Sequence, residues 1–276
     1  RLVGSEMCIR DRSMKTKWKD GENEMQVASP LSGVVSAMAP VDDVTISATP
    51  EIESDMDTSF LLIKLNDKTR LSGSIFSEVT ETSYTETPDV DNVDDFRTMF
   101  TFIQEMISNH QILAIHDISD GGLITTLLEM CFTKKIGIKI NLPLSSNINE
   151  QLFSEESGFV IQIKKDCVSS IINTFTVKGL IARELGSLQD NNFSIFKGDT
   201  ELFKKSIIEL EKVWRETSHA MQCLRDNKEI ADSELSLLDD KNFSGLMHNI
   251  SFDESQIFVP NLKSIKPKVA VLREQG

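Results

Sequence analysis

Residues 114–123, A-I-H-D-I-S-D-G-G-L, hold the side chains of this chain that are best suited to chemistry. An apolar run leads into Asp117 and Ser119, and Gly121 and Gly122 then open the next segment. Carboxylate oxygens are ligands that Mg²⁺ prefers. Glycines allow close approach of a ligand to the backbone, and N–H groups at a helix N-terminus can hold an anion. The segment therefore contains the parts of a Mg²⁺–nucleotide site.

A simpler interpretation of the same residues is structural. Ser119 or Asp120 would cap the helix through its side chain, and the glycines would form the turn before it. The two interpretations are compatible, because one carboxylate can cap the helix while another binds metal. Spacing alone leaves both open.

The elements around this segment follow from hydrophobic periodicity. Short β-branched and apolar runs predict strands at 32–38, 60–65, 112–115, 158–163, 193–196 and 268–272. Helical spacing predicts helices at 93–107, 123–131, from 167 to 174, and at 202–227, with a break near Thr217 left open. Residues 228–265 are predicted to be irregular. Alternating strands and helices indicate an α/β or α+β protein.

Three apolar stripes define the predicted buried faces of the helices. They are Val93, Phe96, Phe100, Ile103 and Ile107; Leu123, Thr126, Leu127, Met130 and Cys131; and Trp214, Met221 and Leu224.

Composition narrows the class of protein. The 276 residues carry a formal net charge of −14, which argues against a nucleic-acid partner. The four cysteines are far apart, which excludes a zinc motif of the C-x-x-C type and fits a reducing cytoplasm. No apolar run reaches the roughly 18–20 residues that a membrane helix needs. Residues 1–12 lack periodicity and are interpreted as a non-native, adaptor-like tail that should be disordered.

Several stretches resemble one enzyme family, in that family's order and spacing. They are S-M-K-T-K-W (13–18), S-P-L-S-G-V-V-S-A-M-A-P-V-D-D-V (29–44), A-I-H-D-I-S-D-G-G-L-I-T-T-L-L-E-M-C-F (114–132), F-S-E-E-S-G-F-V-I-Q-I (153–163), W-R-E-T-S-H-A-M-Q-C-L-R-D-N (214–227) and K-P-K-V-A-V-L-R-E-Q-G (266–276). The family is the large, single-chain formylglycinamide ribonucleotide amidotransferases, also called phosphoribosylformylglycinamidine synthases. The resemblance covers nearly the whole chain.

The resemblance implies the second half of a duplicated core like that of aminoimidazole ribonucleotide synthetase. Residues 13–66 would be the remainder of an N-type sheet-forming domain, 67–212 a C-type α/β domain and 213–265 a connector. Residues 266–276 would begin a class I glutaminase domain, whose cysteine nucleophile has no counterpart here. The chain would then be a fragment that is inactive alone, and its partners would be the first synthetase half and the glutaminase domain of its own polypeptide.

The resemblance also implies a ligand set. Asp117 matches a family Mg²⁺ ligand and Ser119 a nucleotide contact, with Gly121 and Gly122 beside them, so Mg²⁺ and ATP or ADP are the expected cofactors. The nucleotide would be auxiliary, no residue of this chain would be catalytic, and the parent enzyme would be a cytoplasmic monomer. The parent reaction is the ATP-dependent amidation of formylglycinamide ribonucleotide by glutamine-derived ammonia.

Weaker features and alternatives remain open. Arg70 to Ser74 resembles a family glycine turn, with a phosphate role or a plain turn and helix start as its two interpretations. Glu155 and Glu156 are interpreted as a solvated loop rather than a carboxylate pair, and the histidines as surface or packing residues. Alternative functions are a selenophosphate synthetase-like or thiamine-phosphate kinase-like enzyme of the same superfamily, or a non-catalytic nucleotide-binding module.

Overall fold

The computed structural model describes residues 15–28, 38–39, 41, 43–54, 57–144, 147–240, 243, 245, 249 and 251–253. The chain divides into one unit formed by Arg1–Asp42 with Met247–Gly276, and a second formed by Asp43–Leu246. In the first unit, strands β1 (Lys15–Asp20) and β2 (Asn23–Ala28) form an antiparallel hairpin. None of the helices in the described ranges is long and apolar enough to cross a membrane.

The second unit contains seven strands and seven helices among its described residues. In chain order they are β3 (Thr58–Lys64), α1 (Ile75–Val79), α2 (Val93–Ser108), β4 (Ala114–Asp117), α3 (Gly122–Lys134), β5 (Gly137–Leu142), α4 (Ile148–Phe153), β6 (Gly158–Lys164), α5 (Val168–Val177), β7 (Ile181–Gln189), β8 (Asn192–Lys197), β9 (Thr200–Ser206), α6 (Ile207–Arg225) and α7 (Lys228–Ser236). Short 3-10 turns occupy Lys165–Cys167 and Leu237–Asp239.

The strands form one sheet in the order β4-β6-β3-β7-β5-β8-β9. Every neighbouring pair is antiparallel except β5 and β8, which are parallel. All seven residues of β3 are buried. A strand in the interior of a sheet that is covered on both faces needs apolar residues throughout, which explains the run F-L-L-I. The mixed α/β class predicted from the sequence is confirmed.

Each face of the sheet has its own apolar core. Phe60 and Leu62 of β3 belong to a cluster that includes Leu127 of α3, whereas Leu61 and Ile63 belong to a cluster that includes Ile103 of α2. Successive side chains of a strand point to opposite faces, so β3 supplies both cores. Helices α3 and α6 contribute to the first cluster, and α2 and α5 to the second.

The predictions near the candidate site are mostly confirmed. All five residues of the predicted stripe on α3 are buried. Strands β3, β6 and β8 occupy the predicted runs. The strand predicted at 112–115 instead begins at Ala114 and ends at Asp117. The shift brings Asp117 into hydrogen-bonded register with Phe159, as the last residue of an edge strand.

The helix α2 is confirmed, but its predicted buried face is right only for Ile103 and Ile107, which pack in the core, and wrong for Val93, Phe96 and Phe100. Its buried residues are Met99, Ile103 and Met106, whereas Val93 and Phe100 are exposed. The helix carries two overlapping apolar stripes, and the sheet is covered by the one that contains the flexible methionines.

The predicted helix at 202–227 is confirmed from Ile207 to Arg225, whereas its start, its buried stripe and the irregular structure predicted after it need correction. Strand β9 occupies Thr200–Ser206, and α6 begins at Ile207 and continues past Thr217 without a break. The predicted stripe is wrong, because Trp214, Met221 and Leu224 are exposed. The chain then enters helix α7 instead of irregular structure. Strand β9 lies at the edge of the sheet, and most of its residues are exposed. Its sequence T-E-L-F-K-K-S therefore lacks the alternation of apolar and polar residues that would have predicted a strand.

Other predictions fall where the structure gives no description. The tail at 1–12 and the strand at 268–272 lie outside the described residues, as does the strand at 32–38 apart from Met38. The predicted domain boundary near Asn66 lies just after β3. Strand β3 nevertheless pairs with β6 and β7, which come after that boundary in the sequence. The five-part domain division as a whole stays a prediction.

Candidate functional site: the glycine loop after strand β4

Residues 117–122, here called the glycine loop, connect β4 to α3. The side chain of Asp117 is 64% exposed, and Ser119 is also exposed. Between them Ile118 is buried, and its N–H donates to the carbonyl of Gly158 at 2.9 Å. Because Ile118 anchors the loop in the core, the flanking Asp117 and Ser119 side chains are left at the surface on the same stretch of chain.

A histidine connects Asp117 to the neighbouring helix. The Nδ1 atom of His116 lies 3.2 Å from Asp117 Oδ1 and 2.8 Å from the Asp117 carbonyl oxygen. Its Nε2 atom lies 3.0 Å from Oε2 of Glu129 on α3. Both ring nitrogens are thus engaged, and the imidazole positions the Asp117 carboxylate relative to α3.

Both glycines of the loop have backbone conformations that other residues rarely adopt. Gly121 has φ 84° and Gly122 has φ 71°. A Cβ atom on Gly122 would lie 2.7 Å from the carbonyl carbon of Phe153, and one on Gly121 would lie 2.2 Å from Thr125 Oγ1. The turn and the close packing of α3 against α4 therefore both require glycine here.

The capping interpretation of Ser119 and Asp120 is wrong. The N-cap residue of α3 is Gly121, which has no side chain with which to cap the helix. Ser119 contributes its backbone instead, since its carbonyl accepts the N–H of Gly122 at 3.0 Å. The hydroxyl of Ser119 and the carboxylate of Asp120 are not used to start the helix.

Glu155 occupies the place next to the helix N-terminus that was expected for a ligand anion. Its Oε1 atom accepts the N–H of Gly121 at 2.8 Å and the N–H of Ile75 at 2.9 Å. The carboxylate therefore links the glycine loop to the start of α1. The interpretation of Glu155 as a solvated loop residue is wrong. Any phosphate that approaches Gly121 would meet this negative charge.

These residues make the surface of the glycine loop acidic, so it would repel a bare anion. Asp117 and Asp120 are exposed on the loop, and Glu155 lies against its backbone. Oxygen ligands of this kind fit Mg²⁺, and a divalent cation would be required between them and any phosphate.

Residues 60–198, half of the 276-residue chain, match the family model described as AIR synthase related protein, C-terminal domain. The chain belongs to this family. The matched range begins in β3, ends next to β8 and includes the whole glycine loop.

Solved structures that match part of this chain have low sequence identity to it. Thermotoga maritima PurL complexed with FGAR is 13% identical, with a TM-score of 0.51 over 60% of this chain and 30% of that one. The same protein complexed with ATP is 11% identical, with a TM-score of 0.46 over 59% of this chain and 27% of that one. The HypE–HypF complex is 13% identical, with a TM-score of 0.37 over 55% of this chain and 53% of that one. The chain thus spans less than a third of the PurL chains that it matches.

In this AIR synthase-related domain, the segment Arg70–Ser74 forms a plain turn and helix start. Ser74 is buried, and its hydroxyl accepts the N–H of Ser77 at 3.2 Å and donates to the carbonyl of Leu71 at 2.6 Å. The Ser74 side chain is therefore committed to capping α1, which supports the structural interpretation of this turn.

Arg70 and Glu156 form an ion pair that sequence reasoning missed. Their side chains are 9% and 5% exposed, and Arg70 Nη2 donates to Glu156 Oε2 at 2.7 Å. Arg70 also donates to Asp91 Oδ2 at 3.1 Å. Hydrogen bonds to both carboxylates, first of all Glu156, raise the pKa of Arg70. The solvated-loop interpretation of Glu156 is wrong, and the only sequence signal was the adjacent E-E pair before an apolar strand.

A buried lysine completes the neighbourhood of this pair. Lys64 ends β3, and its ammonium donates to the carbonyl of Lys68 at 2.5 Å. Burial lowers the pKa of Lys64, while the nearby Glu156 opposes that shift. Lys64 therefore stabilises the turn after β3 from inside the domain.

Proposed function

We propose that this chain is part of a phosphoribosylformylglycinamidine synthase, the ATP-dependent ligase that converts formylglycinamide ribonucleotide, glutamine and ATP to formylglycinamidine ribonucleotide, glutamate, ADP and phosphate. Its own contribution is a Mg²⁺–nucleotide site at the glycine loop, auxiliary to the reacting ATP. Membership in the AIR synthase-related family supports the class of enzyme. The fold shared with a PurL that was solved with FGAR, together with the family-like order of the sequence motifs, supports the specific reaction.

The observation that carries the site is the exposure of Asp117 at the end of β4. A side chain that served only the fold would be expected to point into the core or to cap α3, and Asp117 does neither. His116 contacts Oδ1 of its carboxylate from one side. A carboxylate held at the exposed end of a strand can bind the Mg²⁺ that a nucleotide phosphate would share.

The position of Glu155 makes the proposed site strictly dependent on the cation. Because Gly121 already donates to a carboxylate, the helix N-terminus alone offers little attraction to a phosphate. Mg²⁺ held by Asp117 would supply the positive charge that phosphate oxygens need. Ser119, exposed beside Asp117, would contact the nucleotide. No residue of the loop is given a covalent role.

The direct test is nucleotide binding by the purified 276-residue chain. A fluorescent ADP analogue is titrated with Mg²⁺ and, in parallel, with EDTA, and far-UV circular dichroism checks that the protein is folded. We expect saturable binding that EDTA abolishes. Binding that is equally strong in EDTA, or no binding by folded protein, would contradict the proposed site. On the same proposal, this chain alone should neither release glutamate from glutamine nor carry out amidation.

A further inference from the structure

Helices α6 and α7 bring together a histidine, a cysteine and an aspartate, none of which belongs to the glycine loop. His219 and Cys223 are four residues apart on α6 and so share one face of the helix. Asp232 on α7 lies opposite them: its Oδ1 atom is 3.0 Å from His219 Nε2 and 3.8 Å from Cys223 Sγ. The distance from Cys223 Sγ to His219 Nε2 is 3.4 Å.

These three distances fit the ligand triangle of a tetrahedral zinc site. With Zn–S of about 2.3 Å and Zn–N or Zn–O of about 2.0–2.2 Å, tetrahedral angles place ligand atoms roughly 3.4–3.6 Å apart. Each of the three observed distances lies within about 0.4 Å of that range. Small side-chain rotations would therefore allow one ion to contact all three atoms.

The types of the three ligand atoms select the class of metal. Mg²⁺ and Ca²⁺ take oxygen ligands, whereas Zn²⁺ accepts thiolate sulfur, imidazole nitrogen and carboxylate oxygen together. We propose that His219, Cys223 and Asp232 form a Zn²⁺ site that joins α6 to α7, with water as the fourth ligand. The His219 and Asp232 side chains are 22% and 45% exposed, so an ion can reach the site from solvent.

Lys228 positions the aspartate without occupying the site. Its Nζ atom lies 2.5 Å from Asp232 Oδ2, the carboxylate oxygen that does not face His219. Partners of this kind orient a ligating carboxylate in known metal sites. Oδ1 is thereby directed towards His219 and Cys223.

A metal link would matter for α7 because this helix has little packing of its own. Within its nine described residues, Lys228–Ser236, Ala231 is the only buried one. An ion held by two residues of α6 and one of α7 would tie the helices together more firmly than a hydrogen bond between exposed groups. Zn²⁺ should therefore protect α7 from local opening.

The competing explanation is a hydrogen-bonded contact that needs no metal. In that case the Nε2–H of His219 donates to Asp232 and the thiol of Cys223 stays protonated. Zn²⁺ requires both atoms to be deprotonated, so metal binding releases protons and weakens as the pH falls. This difference makes the two explanations separable in solution.

Cobalt substitution in the full 276-residue chain gives the decisive measurement. The protein carries no affinity tag and is kept reduced with a non-thiol phosphine. Co²⁺ bound to a cysteine produces a thiolate-to-metal charge-transfer band in the near ultraviolet, and tetrahedral coordination gives intense visible bands. Cys223→Ser is compared with Cys167→Ser, a matched control because Cys167 Sγ also lies beside a carboxylate, 3.3 Å from Asp166 Oδ1.

We expect one thiolate-bound Co²⁺ per chain, displaced by Zn²⁺, with the charge-transfer band lost in Cys223→Ser and kept in Cys167→Ser. Asp232→Asn should weaken Zn²⁺ binding at least about tenfold, the lower end of what loss of an outer-shell partner costs. Absence of the band at saturating Co²⁺, or its survival in Cys223→Ser, would overturn the proposal.

A second measurement needs no variant and so does not depend on mutant folding. The alkylation rates of Cys223 and Cys167 by iodoacetamide are followed by peptide mass spectrometry with and without Zn²⁺. We expect Zn²⁺ to slow alkylation of Cys223 at least about tenfold and to leave Cys167 unchanged, because only a metal-bound thiolate is shielded. Equal rates for Cys223 in both conditions would count against the site.

Discussion

Glu155 accepts the backbone N–H of Gly121 at 2.8 Å, and so a carboxylate of the chain itself lies at the N-terminus of α3. The same oxygen accepts the N–H of Ile75, 2.9 Å away. These contacts join three segments that are far apart in sequence. Glu155 is thus a structural counterpart of the capping side chain that α3 lacks, and it sets the charge of the surface beside Asp117.

Replacement of Glu155 by alanine should destabilise the domain. Two backbone N–H groups would lose their acceptor, and the free energy of unfolding should fall by about 1–2 kcal/mol, the usual scale for a lost helix cap. Glu155→Gln keeps an acceptor oxygen and should cost less than half as much. Urea unfolding measures both, with Glu216→Ala on the exposed face of α6 as the control. An unchanged midpoint in Glu155→Ala would show that water replaces this cap without cost.

Gly122→Ala should be among the most damaging single-methyl substitutions in this domain. The added Cβ would lie 2.7 Å from Phe153 backbone in addition to the strain of φ 71°. Gly179 has a similar φ of 77°, but a Cβ there meets nothing within 4 Å, so Gly179→Ala isolates the backbone strain. We expect a loss of about 1 kcal/mol for Gly179→Ala and about 3 kcal/mol or more for Gly122→Ala in urea unfolding. Equal losses would mean that α4 moves aside freely.

The Arg70–Glu156 pair should be sensitive to loss of one partner. Glu156→Gln leaves a largely buried guanidinium with only the partly exposed Asp91 as its carboxylate partner. The free energy of unfolding should fall by about 2–3 kcal/mol, somewhat below the cost of breaking a fully buried pair because Asp91 remains. Asp91→Asn, measured in the same urea series, should cost clearly less. The reverse order would show that the exposed carboxylate is the main partner of Arg70.

Low pH should remove the contribution that the ionised Asp91 carboxylate makes to the free energy of unfolding. The hydrogen bond from Lys68, followed by that from Arg70, lowers the pKa of Asp91 from its ordinary 3.8. A carboxyl group whose pKa is lowered by folding stabilises the protein above its unfolded-state pKa, and this contribution disappears as the pH falls through the folded-state pKa. The stability difference between wild type and Asp91→Asn should therefore be constant near neutrality and vanish below pH 3.8. A difference that persists in acid would refute an ionic origin.

Local sequence patterns predict the helices and strands whose buried residues follow one clear hydrophobic period. The stripe on α3 is confirmed residue by residue, and the other apolar residues of that helix, Ile124, Leu128 and Phe132, pack against the same core. Helix α2 has two apolar stripes, and the choice of Met99 over Phe100 depends on the shape of the sheet above it. Strands β5 and β7 were not predicted, since their partly charged sequences become strands only through pairing with each other and with β3 and β8.

The candidate site shows the same limit. The sequence predicts a strand, a carboxylate and a glycine turn in the correct order, and the structure places them so. It does not predict Glu155, whose two partners lie 34 and 80 residues away in the chain. Nor does it predict that His219 and Cys223 meet Asp232, because that contact depends on how α7 folds back along α6.

Asp117→Asn tests the proposed nucleotide site in the full-length enzyme. The substitution removes the charge and keeps the shape of a side chain that is 64% exposed, so apo stability should change little. Nucleotide retained per chain after gel filtration in Mg²⁺ should fall at least about tenfold, since one charged metal ligand is lost. Asp94→Asn, which removes an exposed carboxylate on α2 instead, is the matched control and should retain nucleotide.

The turnover of the same Asp117→Asn enzyme decides between an auxiliary and a reacting nucleotide. If the site is auxiliary, the rate should fall only in proportion to the folded fraction, because the reacting ATP lies in the other synthetase half. A large loss of turnover in fully folded Asp117→Asn would place the reacting ATP at the glycine loop. Lower apo stability with normal nucleotide retention would instead show that Asp117 serves the fold, through its contact with His116 at 3.2 Å. The two measurements, retention and unfolding midpoint, separate these outcomes because a metal ligand affects the first and a structural residue the second.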